Sequence, residues 1–259
     1  MIRGLYTSGW SMLAIERKME TITNNMANVN TNAFKKDTVV FESFPEVLTR
    51  RINDTRSGLN PSGYVGYMQL GSDIGEVFTY YNQGQLQKTD NKLDVAIRDD
   101  DSAFFTVSGT DSNGNEKEYY TRDGAFAIGA DNLLVTKDGY IVQGTNGPIE
   151  LNGDSFSVML DGTIVQDGEI VDKLLIKEFT DTGTLRKFGS NLLEKTDQTE
   201  EAAFAGTVAQ GYLELSNVNI IKEMVDMITV TRAYEANQKV LQAQDGTLEK
   251  AVNEVGALR

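Results

Sequence analysis

A seven-residue repeat at both ends of the amino-acid sequence constrains this fold more than any other feature. In the first thirty residues Leu5, Met12, Met19 and Met26 form one column, with Ile15, Ile22 and Val29 three residues further on in a second. Side chains three and four residues apart share one face of a helix, and a sustained seven-residue apolar period is a coiled-coil seam. Toward the other end the column runs Leu213, Ile220, Met227, Tyr234, Leu241, Leu248 and Val255, with Ile221 and Ile228 widening the stripe. Two long terminal helices are expected.

A continuous helix from Leu213 to Val255 would extend about 64 Å at 1.5 Å per residue. A compact body of the ~180 remaining residues is only about 40 Å across, so such a helix overhangs its own domain. Asp245-Gly246 interrupts the pattern. A glycine inside a helix costs about 1 kcal/mol, so a bend or a stop is expected there. The two columns lack a complete partner within one chain, unless they pair with each other.

Between the ends the period shortens to two. Seven Asn-Gly or Asp-Gly dipeptides fall between Asn113 and Gly168, and these are strong hairpin signals because both central turn positions favour positive φ. The runs between them read as strands: AFFTV at 103–107, EYYTR at 118–122, AFAI at 125–128, LLVT at 133–136, FSVML at 156–160 and LLIKEF at 174–179. The expected fold is mixed, a mainly β body with long amino- and carboxyl-terminal α-helices that form a coiled-coil-like segment. Its divisions are a discontinuous helical domain of 1–35 plus 213–259, a loop or hairpin arm at 36–69, the β-rich body at 70–205 and a connection at 206–212.

The 259 residues contain no histidine and no cysteine, and carry a formal net charge of -14. Disulfides, thiolate and imidazole metal sites and every triad with a histidine base are thereby excluded. The negative charge repels phosphate backbones, so nucleic acid is not an expected partner. No run approaches the ~20 apolar residues of a membrane-crossing helix. The opening MIRGLYTSGWSMLAIERKMET is interrupted by polar residues and no small-residue cleavage site follows, so it makes a poor secretory signal.

Little else suggests chemistry. Asp99, Asp100 and Asp101 read as a solvated turn between strands rather than a cation site, because nothing nearby supplies ligand spacing. A calcium loop on Asp111, Asn113 and Asn115 fails, since Glu116 stands where glycine is needed and Arg122 where the bidentate glutamate is needed. No phosphate-binding glycine signature and no nucleophile elbow occurs. Paired carboxylates on the strands could serve a polysaccharide-acting enzyme, but sequence alone does not pair them. No catalytic, cofactor or metal residue is assigned.

The stretch NNMANVNTNAFKK at 24–36 holds five asparagines. Asn25, Asn28 and Asn32 follow a three-four spacing. They form either a frayed helix end, with Asn32 capping in the left-handed region, or a packed amide ladder that sets register between helices.

LYTSGWSMLAIERKMETITNNMANVNTNAFKKD and GYLELSNVNIIKEMVDMITVTRAYEANQKVLQ resemble the two terminal signatures of the bacterial flagellar rod and hook family. QGQLQKTDNKLDVAI, YYTRDGAFAI, LLVTKDGYIVQG and LRKFGSNLLEKT resemble blocks of its rod members. DDDSAFF and Asp245-Gly246 depart from the family pattern. The resemblance implies a structural subunit of the basal-body rod, outside the cytoplasmic membrane in the periplasm or cell wall. It implies export by the flagellar export apparatus without a cleavable signal. The expected partners are further copies in a helical homopolymer and other rod and hook subunits, with no cofactor and no membrane insertion. A proximal rod or hook subunit is the near alternative; a β-rich adhesin is a remote one. The expected subunit interface comprises both amino-terminal columns, Asn25 and Asn28 beside them, and the column from Leu213 through Leu248.

Overall fold

A computed structural model describes all residues except 1, 51–63, 70, 111–113, 115, 154–155 and 256–259, and the side chains of all of these but 2, 3, 50, 64, 65 and 255. Asp111, Asn113 and Asn115 of the rejected calcium loop, and the Val255 side chain, lie outside the described set. The fold is mainly β with a helix at each end. It divides into two compact units, one of Met1–Asn24, Asp37–Phe78 and Ile221–Arg259, the other of Asn25–Lys36 and Thr79–Ile220.

The first unit contains α1 (Ile2–Ala27), four strands and α2 (Ile220–Lys250), which is followed by a π-helical turn at Ala251–Val255. α1 includes Asn24 and Asn25 and ends just before Asn28, Asn30 and Asn32, whose side chains compete for backbone hydrogen bonds. β1 (Asp37–Ser43) pairs with β4 (Ser72–Thr79). β2 (Val47–Arg50) pairs antiparallel with β3 (Tyr64–Met68), placing Val47 opposite Met68 and Leu48 opposite Tyr67. Together they make a two-stranded ribbon, and Pro45, which has no N–H for a ladder, falls in the gap between β1 and β2.

Two expectations for α2 are corrected. The helix passes through Asp245-Gly246 without a stop. One glycine's penalty of about 1 kcal/mol is small beside a turn on either side rich in glutamine, leucine, alanine, glutamate and lysine. The helix also begins at Ile220 rather than Leu213. Leu213 lies on a strand, where its backbone pairs with Gln87 and its side chain is buried. Ser216 and Asn217 separate it from the helix, and both bind backbone groups with their side chains, as residues that compete with helix formation do.

The second unit is built from β5 (Leu86–Lys88), β6 (Val95–Arg98), β7 (Ala103–Thr110), β8 (Glu116–Thr121), β9 (Phe126–Ile128), β10 (Leu134–Thr136), β11 (Ile141–Val142), β12 (Phe156–Val158), β13 (Thr163–Gln166), β14 (Glu169–Lys173), β15 (Ile176–Phe179), β16 (Arg186–Phe188), β17 (Leu192–Glu194), β18 (Glu201–Ala202), β19 (Thr207–Gln210) and β20 (Tyr212–Glu214). The main sheet runs β16-β17-β8-β7-β11-β10-β9, with β15 joining β7 to β18. Every expected strand run overlaps one of these. Asp167-Gly168, with φ of 53° and 88°, turns β13 into β14 in the mirror-image geometry that suits a twisted hairpin.

The central strands bury both faces, and the dipeptides Phe104-Phe105 and Tyr119-Tyr120 show how. Successive residues of a strand point to opposite sides. Phe105 and Tyr119 enter one core with Val107, Leu134, Val142 and Ile164. Phe104 and Tyr120 enter a second, with Tyr81, Phe179, Leu185 and Leu193. The acidic run 99–101 is the turn between β6 and β7, fastened by its own carboxylates: Asp100 accepts from Ser102, Asp101 from the Gln83 N–H and Asp99 from Thr207.

Candidate subunit interface

A buried polar joint ties residues that follow α1 to residues that precede α2. Lys35 Nζ donates to Glu214 Oε1 at 2.5 Å and to the Asn82 carbonyl at 2.9 Å. Arg122 donates to Glu214 Oε2 at 3.3 Å and to the Asp100 carbonyl, and its guanidinium lies 5.4 Å from the centre of the Phe104 ring. The Gly84 N–H donates to Glu214 Oε1 at 2.8 Å. The Glu214 side chain is wholly enclosed. Burial holds both the Lys35 ammonium and the Arg122 guanidinium below their ordinary ranges, against the opposing pull of the Glu214 carboxylate.

Backbone and amide bonds complete the joint. Ala33, rather than Asn32, takes the left-handed conformation (φ 57°), and its N–H donates to the Glu214 carbonyl at 2.8 Å. That conformation is costly for a residue with a Cβ, so the hydrogen bond across the joint holds it. Asn217 accepts from the Lys36 N–H at 2.8 Å and donates to the Tyr80 and Asn82 carbonyls at 2.8 and 3.1 Å. A Cβ at Gly84 would stand 1.9 Å from the Leu215 carbonyl oxygen, so only glycine fits there. A buried ion pair adds little net stability, but removing one partner strands the other in a medium that cannot solvate it. The joint therefore specifies where the two chain segments leave the body.

Within the first unit the helices run antiparallel, their far ends meeting where a Cβ at Gly4 would stand 2.5 Å from Gln244 Nε2. On α1, Met12, Ile15, Met19 and Met26 are half-buried and Ile22 is buried along one face. On α2, Met227, Tyr234, Leu241 and Leu248 are half-buried and Val230 is buried, also along one face. Each column is therefore the sheltered face of its helix.

Each helix has a second apolar row. At 100° per residue Val225 lies about 160° around α2 from Leu241, and Ile221 and Ile228 are within about 40° of the same opposite face. Val225 is 56% exposed and Ile228 55%. On α1, Tyr6, Trp10 and Leu13 lie about 140–180° from Ile15 and are 64%, 41% and 45% exposed. An open groove of about 370 Å³ runs beside this row, lined by Leu5, Tyr6, Gly9, Trp10, Leu13 and Leu241.

The ribbon adds a third exposed apolar surface. Each strand carries an adjacent pair of exposed side chains: Val40-Phe41, Val47-Leu48, Tyr67-Met68 and Val77-Phe78. Adjacent residues face opposite sides, so both faces of the ribbon are apolar. Its root leans on α1, with the Trp10 and Phe44 rings edge to face at 5.3 Å and Lys18 Nζ over the Phe41 ring at 5.6 Å.

The expected interface residues therefore divide. Leu5 and Leu241 line the groove, Ile220 is exposed, and Asn25 is buried. Asn28 and Val29 follow the end of α1, where Thr31 Oγ1 donates to Asn28 Oδ1 at 3.2 Å. Leu213 belongs to the body core. Sequence reasoning missed the Lys35–Glu214–Arg122 joint. The available signal was a lone glutamate in the otherwise uncharged GYLELSNVN and a lysine beside the aromatic of AFKK.

Comparison with known proteins matches residues 209–254 to the model described as flagellar basal body rod FlgEFG protein C-terminal, and residues 100–171 to the flagellar hook protein FlgE/F/G D1 domain. The chain is 35% identical over 268 residues to the flagellar basal-body rod protein FlgG of Buchnera aphidicola subsp. Baizongia pistaciae, covering 96% of this chain and 98% of that protein. It is 31% identical to FlgG of Bacillus subtilis, covering 98% and 99%. It is 33% identical to the flagellar basal-body rod protein FlgF of Rhizobium meliloti, with 100% of each chain covered.

Proposed function

Because the chain belongs to the bacterial flagellar basal-body rod and hook family, we propose that it polymerises through its two terminal helices into a hollow, torque-transmitting shaft. It is a structural rod subunit, not an enzyme, and it assembles with itself and other rod and hook subunits in the flagellar basal body.

One observation carries the polymer reading: α1 and α2 are each apolar on two opposite faces, and one chain covers only one face of each. A second exposed apolar face on a helix marks a surface for a partner to cover. Neighbouring helices in a tube supply that cover, arranged as a coiled-coil-like layer. The interface columns of α1 and α2 with Asn25 then act through pairing within each subunit, and the outward rows act between subunits.

Within the family the reading is a distal rod subunit, supported by FlgG relatives that match almost end to end and by the ribbon. Export proceeds through the flagellar export apparatus without a cleavable signal, to the periplasm or cell wall. Among the described residues no helix is long and apolar enough to cross a membrane. Immunogold labelling of purified basal bodies is expected to decorate the rod. Label confined to the hook would refute the rod assignment.

A further inference from the structure

We propose that the outward row of α2, centred on Val225, seats in the α1 groove beside Gly9 of the next copy, so that adjacent subunits join head to tail through one repeated helix contact. This rests on the rod-subunit reading, and it names the two surfaces that meet.

The rows match in length and chemistry. Tyr6 to Leu13 and Ile221 to Ile228 each span seven residues, about 10.5 Å of helix. No charged residue falls between Gly4 and Ile15, and Ile221, Val225 and Ile228 offer three uncharged aliphatic side chains. A Cβ built on Gly9 would meet nothing within 4 Å, so the groove has room at its centre for a side chain from outside.

The rows also lie at opposite ends of the helical pair. Gly4 meets Gln244 within the chain, which sets Gly9 level with residue 239 of its own α2. Val225 is fourteen residues away along that helix, about 21 Å. A surface on one end that fits a different surface on the other makes a heterologous contact, which propagates instead of closing as a two-fold dimer. Copies held in one orientation would bring α2 antiparallel onto the neighbouring α1, with Val225 level with Gly9 and successive copies staggered by about 21 Å.

The chain has no cysteine, so the full-length double variant Gly9→Cys/Val225→Cys, expressed in place of the wild type and treated with a short thiol-reactive cross-linker, reports this pairing alone. A ladder of multimers is expected from the double variant in purified basal bodies, and none from either single variant. Dimers from Gly9→Cys alone would show the groove facing itself and overturn the proposal. Cross-links to a different rod subunit would overturn it as well. A double variant present in basal bodies without a ladder would defeat this pairing and leave the rod reading standing. Wild-type protein absent from basal bodies would defeat both. A second variant, Gly9→Leu, fills the groove from above where nothing opposes it and replaces a helix-interior glycine with a better helix former, so the monomer's melting is expected to hold or rise while incorporation falls at least about tenfold. Wild-type incorporation of Gly9→Leu would overturn the proposal independently.

Discussion

Lys35 Nζ and Glu214 Oε1 lie 2.5 Å apart in the interior, although 179 residues separate them along the chain. Their contact ties the segment that follows the first helix to the segment that precedes the second. Arg122 closes the cluster from β8's end of the body, and the Gly84 N–H occupies a further lone pair of the same carboxylate.

Glu214→Ala is expected to destabilise the full chain by about 3–5 kcal/mol, because it leaves Lys35 and Arg122 as buried, unpaired cations. Urea unfolding followed by circular dichroism measures this. A loss below about 1 kcal/mol would mean that water reaches the cluster when the carboxylate is gone.

Asp123 gives a pH dependence. Burial pushes its carboxyl above the usual 3.8, against the hydrogen bond it accepts from the Ala125 N–H. Between 3.8 and that raised value the folded chain holds a proton that the unfolded chain has released. This group's contribution to stability therefore rises as pH falls through the window, and its ionised form burdens the fold above it. Asp123→Asn keeps an acceptor and removes the charge. The wild type is expected to gain stability relative to that variant as the pH of unfolding experiments is lowered from neutral toward about 4. A difference that stays flat across the range would contradict the assignment.

The ribbon separates folding from assembly. Leu48 pairs with Tyr67 across the strands, and both are exposed. Leu48→Lys should change monomer stability by no more than about 0.5 kcal/mol, the ordinary range for a surface position. In soft agar the same variant is expected to spread poorly, because a charge enters an apolar contact between subunits. Normal spreading would assign the ribbon no role in assembly.

Met227 is half-buried on the sheltered face of α2, so Met227→Asp puts a carboxylate into apolar surroundings at a penalty of several kcal/mol. Hydrogen exchange on the dilute full chain is expected to show protection lost in both helices and kept in the β strands, with motility abolished. Protection retained in the helices would place Met227 outside the seam.

The strands were legible because their signals are local. Asp167-Gly168 needs only two positive φ values to turn a hairpin, and Phe104-Phe105 needs only the alternation of a strand to feed two cores. The sheltered column of each helix was legible too, since a period of 3.6 turns spacing into faces, but Ile221 and Ile228, expected to widen the α2 stripe, lie on its opposite, exposed face. Leu213 misled because a seven-residue spacing from Ile220 is equally consistent with a buried strand side chain, and only its pairing with Gln87 distinguishes the two.

The sequence by itself determined the β-rich middle, the helical ends, the absence of histidine and cysteine chemistry, and a resemblance that spans most of the chain. Tertiary structure alone decided that Lys35, Arg122 and Glu214 share one enclosed cluster, and that α2 turns Tyr234 and Leu241 inward while Val225 and Ile228 remain outside. Periodicity shows that a helix has an apolar stripe but not which of its apolar residues its own chain will cover. The hydrogen bonds that tie residues 33–36 to 214–217 likewise join positions far apart along the chain, which no local pattern encodes.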